Sequence, residues 1–328
     1  MSTPPMPELP PPQVISDLLH GHIGARCLHV VARLGVADAL GDEPASAALL
    51  AAHTGANADA LERMLRLLCS YGVFAPAAEG FRHTPASRLL RRDHPQSLRA
   101  YAQLHGMAPF WNAFTDLERA ARSGEPVIGW TTLIDHLASH PDDSRLFNES
   151  MVGKSAAAFA ALRRFYDFGP FRTIADVGGG RGHLLEAILD AAPHASGVLF
   201  ELPHVLADAT PAPRVERVAG DFFTDPLPRA DLYLLMEVLH DWADADAARI
   251  LAAVRRAAPP HARLLIVESL VGETQGLGRT IDIVMLALTG GRERSRAEYA
   301  TLLAAAGFKL ERVIDTGTRF AVAEALVV

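Results

Sequence analysis

The sequence is poor in cysteine and lysine and has no long apolar run. Cys27 and Cys69 are the only cysteines among 328 residues, so a disulfide framework is not expected and a reducing, cytoplasmic location fits. The longest apolar stretches fall far short of the ~18 residues that a membrane-spanning helix requires. The net charge is −7, so no basic excess favours nucleic acid or an anionic membrane as partner.

The first half of the chain shows mainly helical patterns. The proline-rich start, MSTPPMPELPPPQ, lacks the basic and apolar regions of a signal peptide, and we expect 1–12 to be a disordered leader. Within 13–100, two helical segments bend at Gly55 in a helix-turn-helix arrangement, and YGVFAPAAEGFRHTP predicts a hairpin or wing. Residues 101–165 are again helical in pattern, with aromatics and methionines on the apolar faces, and are expected to contribute to a substrate pocket.

From 166 to 328 apolar strands alternate with helices, which predicts a Rossmann-like, doubly wound, mostly parallel sheet. The last two strands have no helix between them, so they should form an antiparallel edge hairpin. The fold class is therefore α/β, with a seven-stranded sheet. The predicted strands are 173–177, 196–202, 215–219, 231–238, 263–269, 308–315 and 320–328.

A glycine-rich segment, DVGGGRGHLLE, connects the first of these strands to a helix. Glycines allow the backbone to approach a ligand, and a helix start favours anionic groups. The spacing Gly178-x-Gly180-x-Gly182 lacks the third glycine, one residue later, of the dinucleotide pattern G-x-G-x-x-G, which disfavours NAD. A tight turn without a ligand is the alternative interpretation.

Polar side chains also follow the next two strands. Glu201 in FELPHV can accept hydrogen bonds from both hydroxyls of a ribose. Asp221 and Phe222 in GDFF suit the amine and the ring face of adenine, although Asp221 could be a turn residue and Phe222 a core residue. Taken together, three consecutive strand ends with these residues predict an adenosine site at the carboxyl edge of the sheet.

The fourth strand ends in LMEVLHDW, an unusual set of residues for a core strand. His240 has an ordinary pKa near 6.5 and suits the role of a neutral base. Glu268 in IVES and Glu293 in GGRERS are carboxylates that can fix its tautomer and stabilise the imidazolium. Asp241 either caps the following helix or orients the imidazole, and Trp242 is either a ligand contact or core.

In this order, DVGGGRG, FELPHV, GDFF, LMEVLHDW, IVES and GGRERS resemble the motifs of class I S-adenosylmethionine-dependent O-methyltransferases of natural-product biosynthesis. That family includes plant caffeic-acid-type enzymes and bacterial antibiotic-tailoring enzymes. The resemblance covers about 13–328 and implies an all-helical, winged-helix-like dimerisation domain, hence a homodimer, followed by the methyltransferase domain. It implies methyl transfer to a hydroxyl of an aromatic or polyketide-like secondary metabolite. The alternative is a relative that binds the cofactor but catalyses hydroxylation or ring chemistry.

The resemblance also implies residue roles. His240 would deprotonate the acceptor, flanked by Glu268 and Glu293, without a metal. Many relatives have lysine four residues before the histidine, where this chain has Met236, so the cofactor contacts there should differ. The positions expected to bind S-adenosylmethionine are Asp176, Gly178, Gly180, Glu201 (usually Asp in plant members), Asp221, Phe222, Met236 and Trp242.

Candidates for the acceptor pocket come from MAPFWNAF, FNESMVGKSAAAF and IDIVMLALTGG. Aromatic rings and flexible thioethers suit a flat aromatic acceptor, but apolar residues at helical spacing are also typical of plain core. Asp282 could orient a second hydroxyl or pair with a nearby arginine. The candidates are Trp111, Phe114, Met151, Asp241, Asp282 and Met285, with Met107, Phe110 and Phe159 as further apolar residues.

Two other functions are disfavoured. His20, His22, Cys27 and His29 match no common zinc spacing. A DNA-binding regulator would need a basic recognition helix, whereas the helix predicted over 57–70 pairs its two arginines with acids and carries an apolar stripe, which indicates a buried or interface face.

Overall fold

The computed structural model describes residues 10–272 and 277–328; the side chains of 152–161 and 277 lie outside that description. Most of the expected leader, residues 1–9, also lies outside the described residues. The chain forms two compact units, Met1–Met107 and Ala108–Val328. In the described part of the chain, no helix is long and apolar enough to cross a membrane.

The first unit is a helical domain with one hairpin, as predicted for a winged-helix-like fold. Helix ends follow the local sequence: Ser46 and Asn57 cap the helices that begin directly after them through their side-chain oxygens, and Gly55 ends the first of these helices in the left-handed conformation. The expected domain end at residue 100 falls inside the helix Arg99–His105, which packs on the helix Pro11–Leu34. The elements are α1 (Pro11–Leu34), α2 (Val36–Leu40), α3 (Ala47–Thr54), α4 (Ala58–Ser70), β1 (Phe74–Ala77), β2 (Gly80–His83), α5 (Pro85–Arg88) and α6 (Arg99–His105).

The second unit begins with four helices and continues as alternating strands and helices. The helices are α7 (Ala108–Asn112), α8 (Leu117–Ser123), α9 (Trp130–Ser139), α10 (Pro141–Phe165), α11 (His183–Ala191), α12 (Pro203–Leu206), α13 (Asp244–Ala257), α14 (Leu277–Leu288) and α15 (Arg296–Ala305). The strands are β3 (Thr173–Val177), β4 (Ser196–Glu201), β5 (Val215–Ala219), β6 (Leu232–Met236), β7 (Arg263–Glu268), β8 (Phe308–Asp315) and β9 (Ala321–Val327).

These seven strands form one sheet in the order β5-β4-β3-β6-β7-β9-β8. Neighbours from β5 to β7 are parallel, and β9 runs antiparallel to both β7 and β8. The predicted doubly wound sheet with an antiparallel edge hairpin is therefore confirmed. Separate apolar cores cover its two faces, which explains why a strand such as β6 (LYLLM) is apolar at nearly every position.

The parallel strands place their carboxyl ends along one edge of the sheet. The order reverses between β3 and β6, and such a switch point opens a crevice at that edge. The glycine loop after β3 and a short 3-10 turn after β6, Leu239–Asp241, flank this crevice. The fold thus brings the motifs singled out in the sequence to one edge.

Candidate active site

The glycine loop requires glycine for steric reasons. Gly178, Gly180 and Gly182 have φ values of +71°, +58° and +83°, a region that side chains rarely adopt. A Cβ atom at Gly179 would lie 2.4 Å from Cγ of Asp176. The loop therefore packs directly on the carboxylate beneath it and leaves its outer face open.

Two carboxylates lie under this loop, the buried Asp176 and the partly buried Glu201. Glu201 accepts hydrogen bonds from the backbone N–H groups of Gly180 at 3.0 Å and Leu202 at 2.7 Å. Neither oxygen of Asp176 has a hydrogen-bond partner among the described residues. Burial, with the nearby Glu201 charge, raises the pKa of Asp176 to about 7. Burial also raises the pKa of Glu201. A buried acid without a partner indicates a site that a cationic or hydrogen-bonding ligand completes.

A cavity of about 580 Å³ lies over these residues. The cofactor-binding candidates all line it, including Asp221, Phe222, Met236 and Trp242. The Asp221 carboxylate also accepts a hydrogen bond from the backbone N–H of Phe223 at 2.8 Å, so this residue does shape its own turn. Trp242 packs edge-on against Phe223, with ring centroids 4.7 Å apart, and therefore belongs both to the cavity wall and to an aromatic cluster.

His240 lies in the 3-10 turn and is buried, as are Glu268 and Glu293, whereas Asp241 is partly exposed. Its Nδ1 is 2.9 Å from a carboxylate oxygen of Glu293, and its Nε2 is 3.7 Å from Asp241. Because a carboxylate only accepts, the Nδ1–H donates to Glu293 and the lone pair of the neutral ring is on Nε2. Burial lowers the pKa of His240, but Asp241, Glu293 and Glu268 outweigh that effect and raise it to about 9.

Glu268 supports the turn from the end of β7. One of its oxygens accepts the backbone N–H groups of Leu239 at 2.8 Å and His240 at 3.2 Å, and the other accepts the hydroxyl of Tyr299. Tyr299 could not be identified from the sequence, because a tyrosine at an apolar helical position is indistinguishable from a core residue. Glu268 thus fixes the backbone that carries the imidazole and does not contact the ring.

Asp241 does not cap the following helix, so that alternative was wrong. Helix α13 begins after Ala243 without a side-chain cap. The Asp241 side chain instead lines the cavity, beside the Nε2 edge of His240. His240, which is 3% exposed, is not itself part of the cavity wall, and neither are Glu268 and Glu293; the Nε2 edge of His240 meets the wall at Asp241.

The structure places some of the acceptor candidates in the cavity wall and others away from it. Met151 and Asp241 line the cavity, and the side chain of Phe159 lies outside the described residues. Asp282 accepts the backbone N–H of Glu293 at 2.9 Å and so supports the loop that contacts His240. The candidates that are not part of the cavity wall among the described residues are Met107, Phe110, Trp111, Phe114, Asp282 and Met285.

Part of the cavity wall could not be predicted from the sequence. Helix α9 contributes Trp130 and Ile134, and α10 contributes Phe147 from the segment FNESMVGKSAAAF that was expected to reach the pocket. Trp130 contacts Trp242 edge-on at 5.7 Å between centroids. The aromatic start of α9 was the available indication, but apolar helical spacing alone does not separate a wall from a core. No group of three or more potential metal ligands was found in the described part of the chain.

Comparison with known sequence families assigns both parts of the chain. The O-methyltransferase domain family matches residues 111–309, and the O-methyltransferase dimerisation domain family matches residues 16–93. The first match alone spans more than half of the chain. The chain belongs to the O-methyltransferase family.

Individual relatives resemble this methyltransferase over nearly its whole length. It is 39% identical to phenazine O-methyltransferase PhzM of Lysobacter antibioticus, over 97% of this chain and 96% of that protein. It is 38% identical to 8-amino-8-demethylriboflavin N,N-dimethyltransferase of Streptomyces davaonensis, over 90% of each. The structure of CalO1, a methyltransferase in calicheamicin biosynthesis with bound S-adenosylhomocysteine, aligns with a TM-score of 0.86 at 34% identity, over 98% of this chain and 100% of that one. The cofactor of the family is S-adenosylmethionine.

Proposed function

We propose that this methyltransferase transfers a methyl group to a hydroxyl of an aromatic or polyketide-like metabolite, with His240 as the general base. The observation that carries the proposal is the buried His240–Glu293 pair, whose Nε2 edge lies beside Asp241 of the cavity wall. The relatives described above are methyltransferases, which favours methyl transfer over the hydroxylation or ring chemistry considered from the sequence.

The residues of the cavity fit S-adenosylmethionine, which supplies an activated methyl group on a sulfonium. The open face of the glycine loop leaves room for the cofactor against the protein backbone, and Glu201 can accept hydrogen bonds from the ribose hydroxyls. The unpartnered carboxylate of Asp176 suits a cationic group. Asp221 and Phe222 suit adenine, with Met236 and Trp242 completing the wall. The acidic lining of the cavity favours a positively charged cofactor.

His240 is suited to accept a proton from a phenolic hydroxyl. Its pKa of about 9 lies close to the ~10 of an ordinary phenol, so proton transfer between the two groups is nearly balanced. Glu293 holds the tautomer in which Nε2 accepts, and the surrounding carboxylates stabilise the imidazolium. A positioned base of this kind typically contributes ~10²–10⁴-fold to the rate, and holding the reactants in line contributes several kcal/mol more.

We also propose that the protein is a cytoplasmic homodimer. The match to a dimerisation domain supports this assembly, as does an apolar stripe on α1 that the single chain leaves exposed. The stripe consists of Val14, Ile15, Leu18, Leu19 and Ile23. Cys27 and Cys69 are free thiols, consistent with a reducing compartment. Sedimentation at micromolar concentration should give a dimer, and a monomer would contradict this assembly.

The reaction is tested with methyl-labelled S-adenosylmethionine and a panel of hydroxylated phenazines, naphthols and catechols, each with its amino counterpart. We expect label on oxygen with the wild type and a loss of at least ~10²-fold with His240→Ala, while S-adenosylhomocysteine affinity is retained. Label on the amines alone would support the second candidate, N-methyl transfer, which the riboflavin-modifying relative favours. Turnover of His240→Ala close to that of the wild type would exclude His240 as the base.

A further inference from the structure

Arg294 is the largest fully buried side chain of the described residues, with 1% of its surface exposed. Its guanidinium donates to the carbonyl oxygens of Leu239 and Trp242, each at 2.8 Å. It also donates through Nε to the carboxylate of Asp244 at 2.9 Å. A longer contact joins one terminal nitrogen to the carbonyl oxygen of Arg292 at 3.5 Å. The shorter hydrogen bonds of this buried guanidinium therefore all go to one short segment, Leu239 to Asp244.

The segment that it binds is the turn carrying His240. The Leu239 carbonyl immediately precedes His240, and the Trp242 carbonyl lies two residues after it. On the other side of the same turn, the carboxylate of Glu268 accepts the N–H groups of Leu239 and His240. The turn is therefore held by a carboxyl group at its N–H groups and by a guanidinium at its carbonyl oxygens.

We propose that Arg294 is a positioning residue for His240, which sets the direction of Nε2 towards the acceptor through these backbone carbonyls. This inference rests on the proposed role of His240 as the base. Arg294 follows Glu293 directly, so one backbone segment supplies both the carboxylate that contacts the ring and the guanidinium that holds the turn. Arg294 is not part of the cavity wall, so it should affect turnover and leave ligand binding unchanged.

The geometry requires arginine specifically. The two carbonyl oxygens are bound by separate terminal nitrogens of one planar fork, and the third nitrogen binds Asp244. A lysine keeps the positive charge but presents its donors from a single atom and cannot reproduce this spread. Arg294→Lys therefore removes the contacts that position the turn but keeps a positive charge near Glu268.

The matched control is Arg292→Lys. Arg292 is two residues away, its side chain is about half exposed, and its guanidinium lies 2.5 Å from Glu298 and 3.8 Å from Asp244. The control changes the same residue type in the same loop. Arg292 contacts the turn through its backbone N–H, which donates to the carbonyl oxygen of His240 at 2.8 Å, and a lysine at this position keeps that contact. Both variants are compared for S-adenosylhomocysteine affinity by calorimetry, for kcat and KM with an acceptor found in the panel, and for the pH dependence of kcat. The imidazole of His240 is followed by nitrogen NMR, and its resonances are identified by their loss in His240→Gln.

We expect Arg294→Lys to bind S-adenosylhomocysteine within ~3-fold of the wild type, with a kcat lowered ~10²-fold, the effect of a displacement of about 1 Å at a reacting group. The His240 resonances and the pH dependence of kcat should shift, whereas Arg292→Lys should match the wild type. A kcat within ~3-fold of the wild type would overturn the inference. So would a parallel loss of stability, cofactor affinity and kcat with an unshifted His240, since that is the pattern of a structural residue.

His240→Ala in the same assays separates this inference from the proposed function. If His240→Ala retains turnover, the proposed base is wrong, and the positioning role falls with it. If His240→Ala is inactive while Arg294→Lys is fully active, the base stands and only the role of Arg294 is wrong.

Discussion

The strength of the His240–Glu293 pair should be visible in the pH dependence of stability. The pKa of His240 is raised from 6.5 to about 9, which corresponds to roughly 3 kcal/mol in favour of the folded state when the ring is protonated. The variant Glu293→Gln keeps an acceptor for the Nδ1–H but removes the charge. Loss of an opposite charge in contact lowers such a pKa by about 1–3 units.

The sign follows from linkage. A group whose pKa is higher in the folded state stabilises the fold fully below its unfolded pKa, and that contribution is lost as pH rises through the folded pKa. At pH 6 the free energy of unfolding of the wild type should therefore exceed that of Glu293→Gln by about 1.4–4 kcal/mol. The difference should shrink between pH 6.5 and 9, because the imidazole of the folded wild type then loses its proton.

Urea unfolding from pH 6 to 9.5 measures this difference. The control is Glu311→Gln, a partly exposed carboxylate paired with Lys309, which should change the free energy of unfolding by less than about 0.5 kcal/mol at each pH. A difference between wild type and Glu293→Gln that is equal at pH 6 and pH 9.5 would refute the reasoning, because it would mean that His240 is not charged beside Glu293.

Three further predictions concern the cofactor and the cavity. Gly179→Ala places a Cβ 2.4 Å from Asp176, so calorimetry should show at least ~10-fold weaker binding of S-adenosylhomocysteine; unchanged affinity would contradict the described loop. Because the pKa of Asp176 is raised to about 7 and a cationic ligand favours its ionised form, the affinity for S-adenosylmethionine should rise from pH 6 to pH 8 and lose this dependence in Asp176→Asn. A dependence that persists in this variant would assign the proton to another group. Trp130→Ala removes a wall of the cavity and should raise the acceptor KM more than it lowers cofactor affinity; equal effects would mean that Trp130 supports only the aromatic cluster.

The strands and most helices of the second unit could be predicted closely from sequence. Strands such as β3 (TIADV) and β5 (VERVA) begin and end where predicted, because β-branched residues between turn residues favour a strand. The bounds of α14 were not predicted: IDIVMLALTGG was interpreted only as an apolar segment of the pocket or of the core, and periodicity in so short an apolar run is ambiguous.

The candidate site could be predicted where it depends on strand ends. His240, Glu268 and the glycine loop follow buried strands, and parallel strands bring their ends to one edge. The role of Arg294 could not be predicted, because GGRERS contains two arginines and only contacts about 50 residues apart in sequence determine which of them is buried. The position of Trp130 in the cavity wall likewise depends on how α9 packs, which its apolar pattern does not specify.

The most direct test of the central claim is a comparison of wild type and His240→Gln at saturating S-adenosylmethionine, with the first acceptor hydroxyl found in the panel. The structure predicts equal cofactor affinity and a kcat at least ~10²-fold lower in the variant. Because His240 must lose its own proton to act as a base and its pKa is about 9, wild-type kcat should rise with pH, and this rise should be absent from the variant. A variant that turns over at the wild-type rate with the same pH profile would show that the proton is removed by another group.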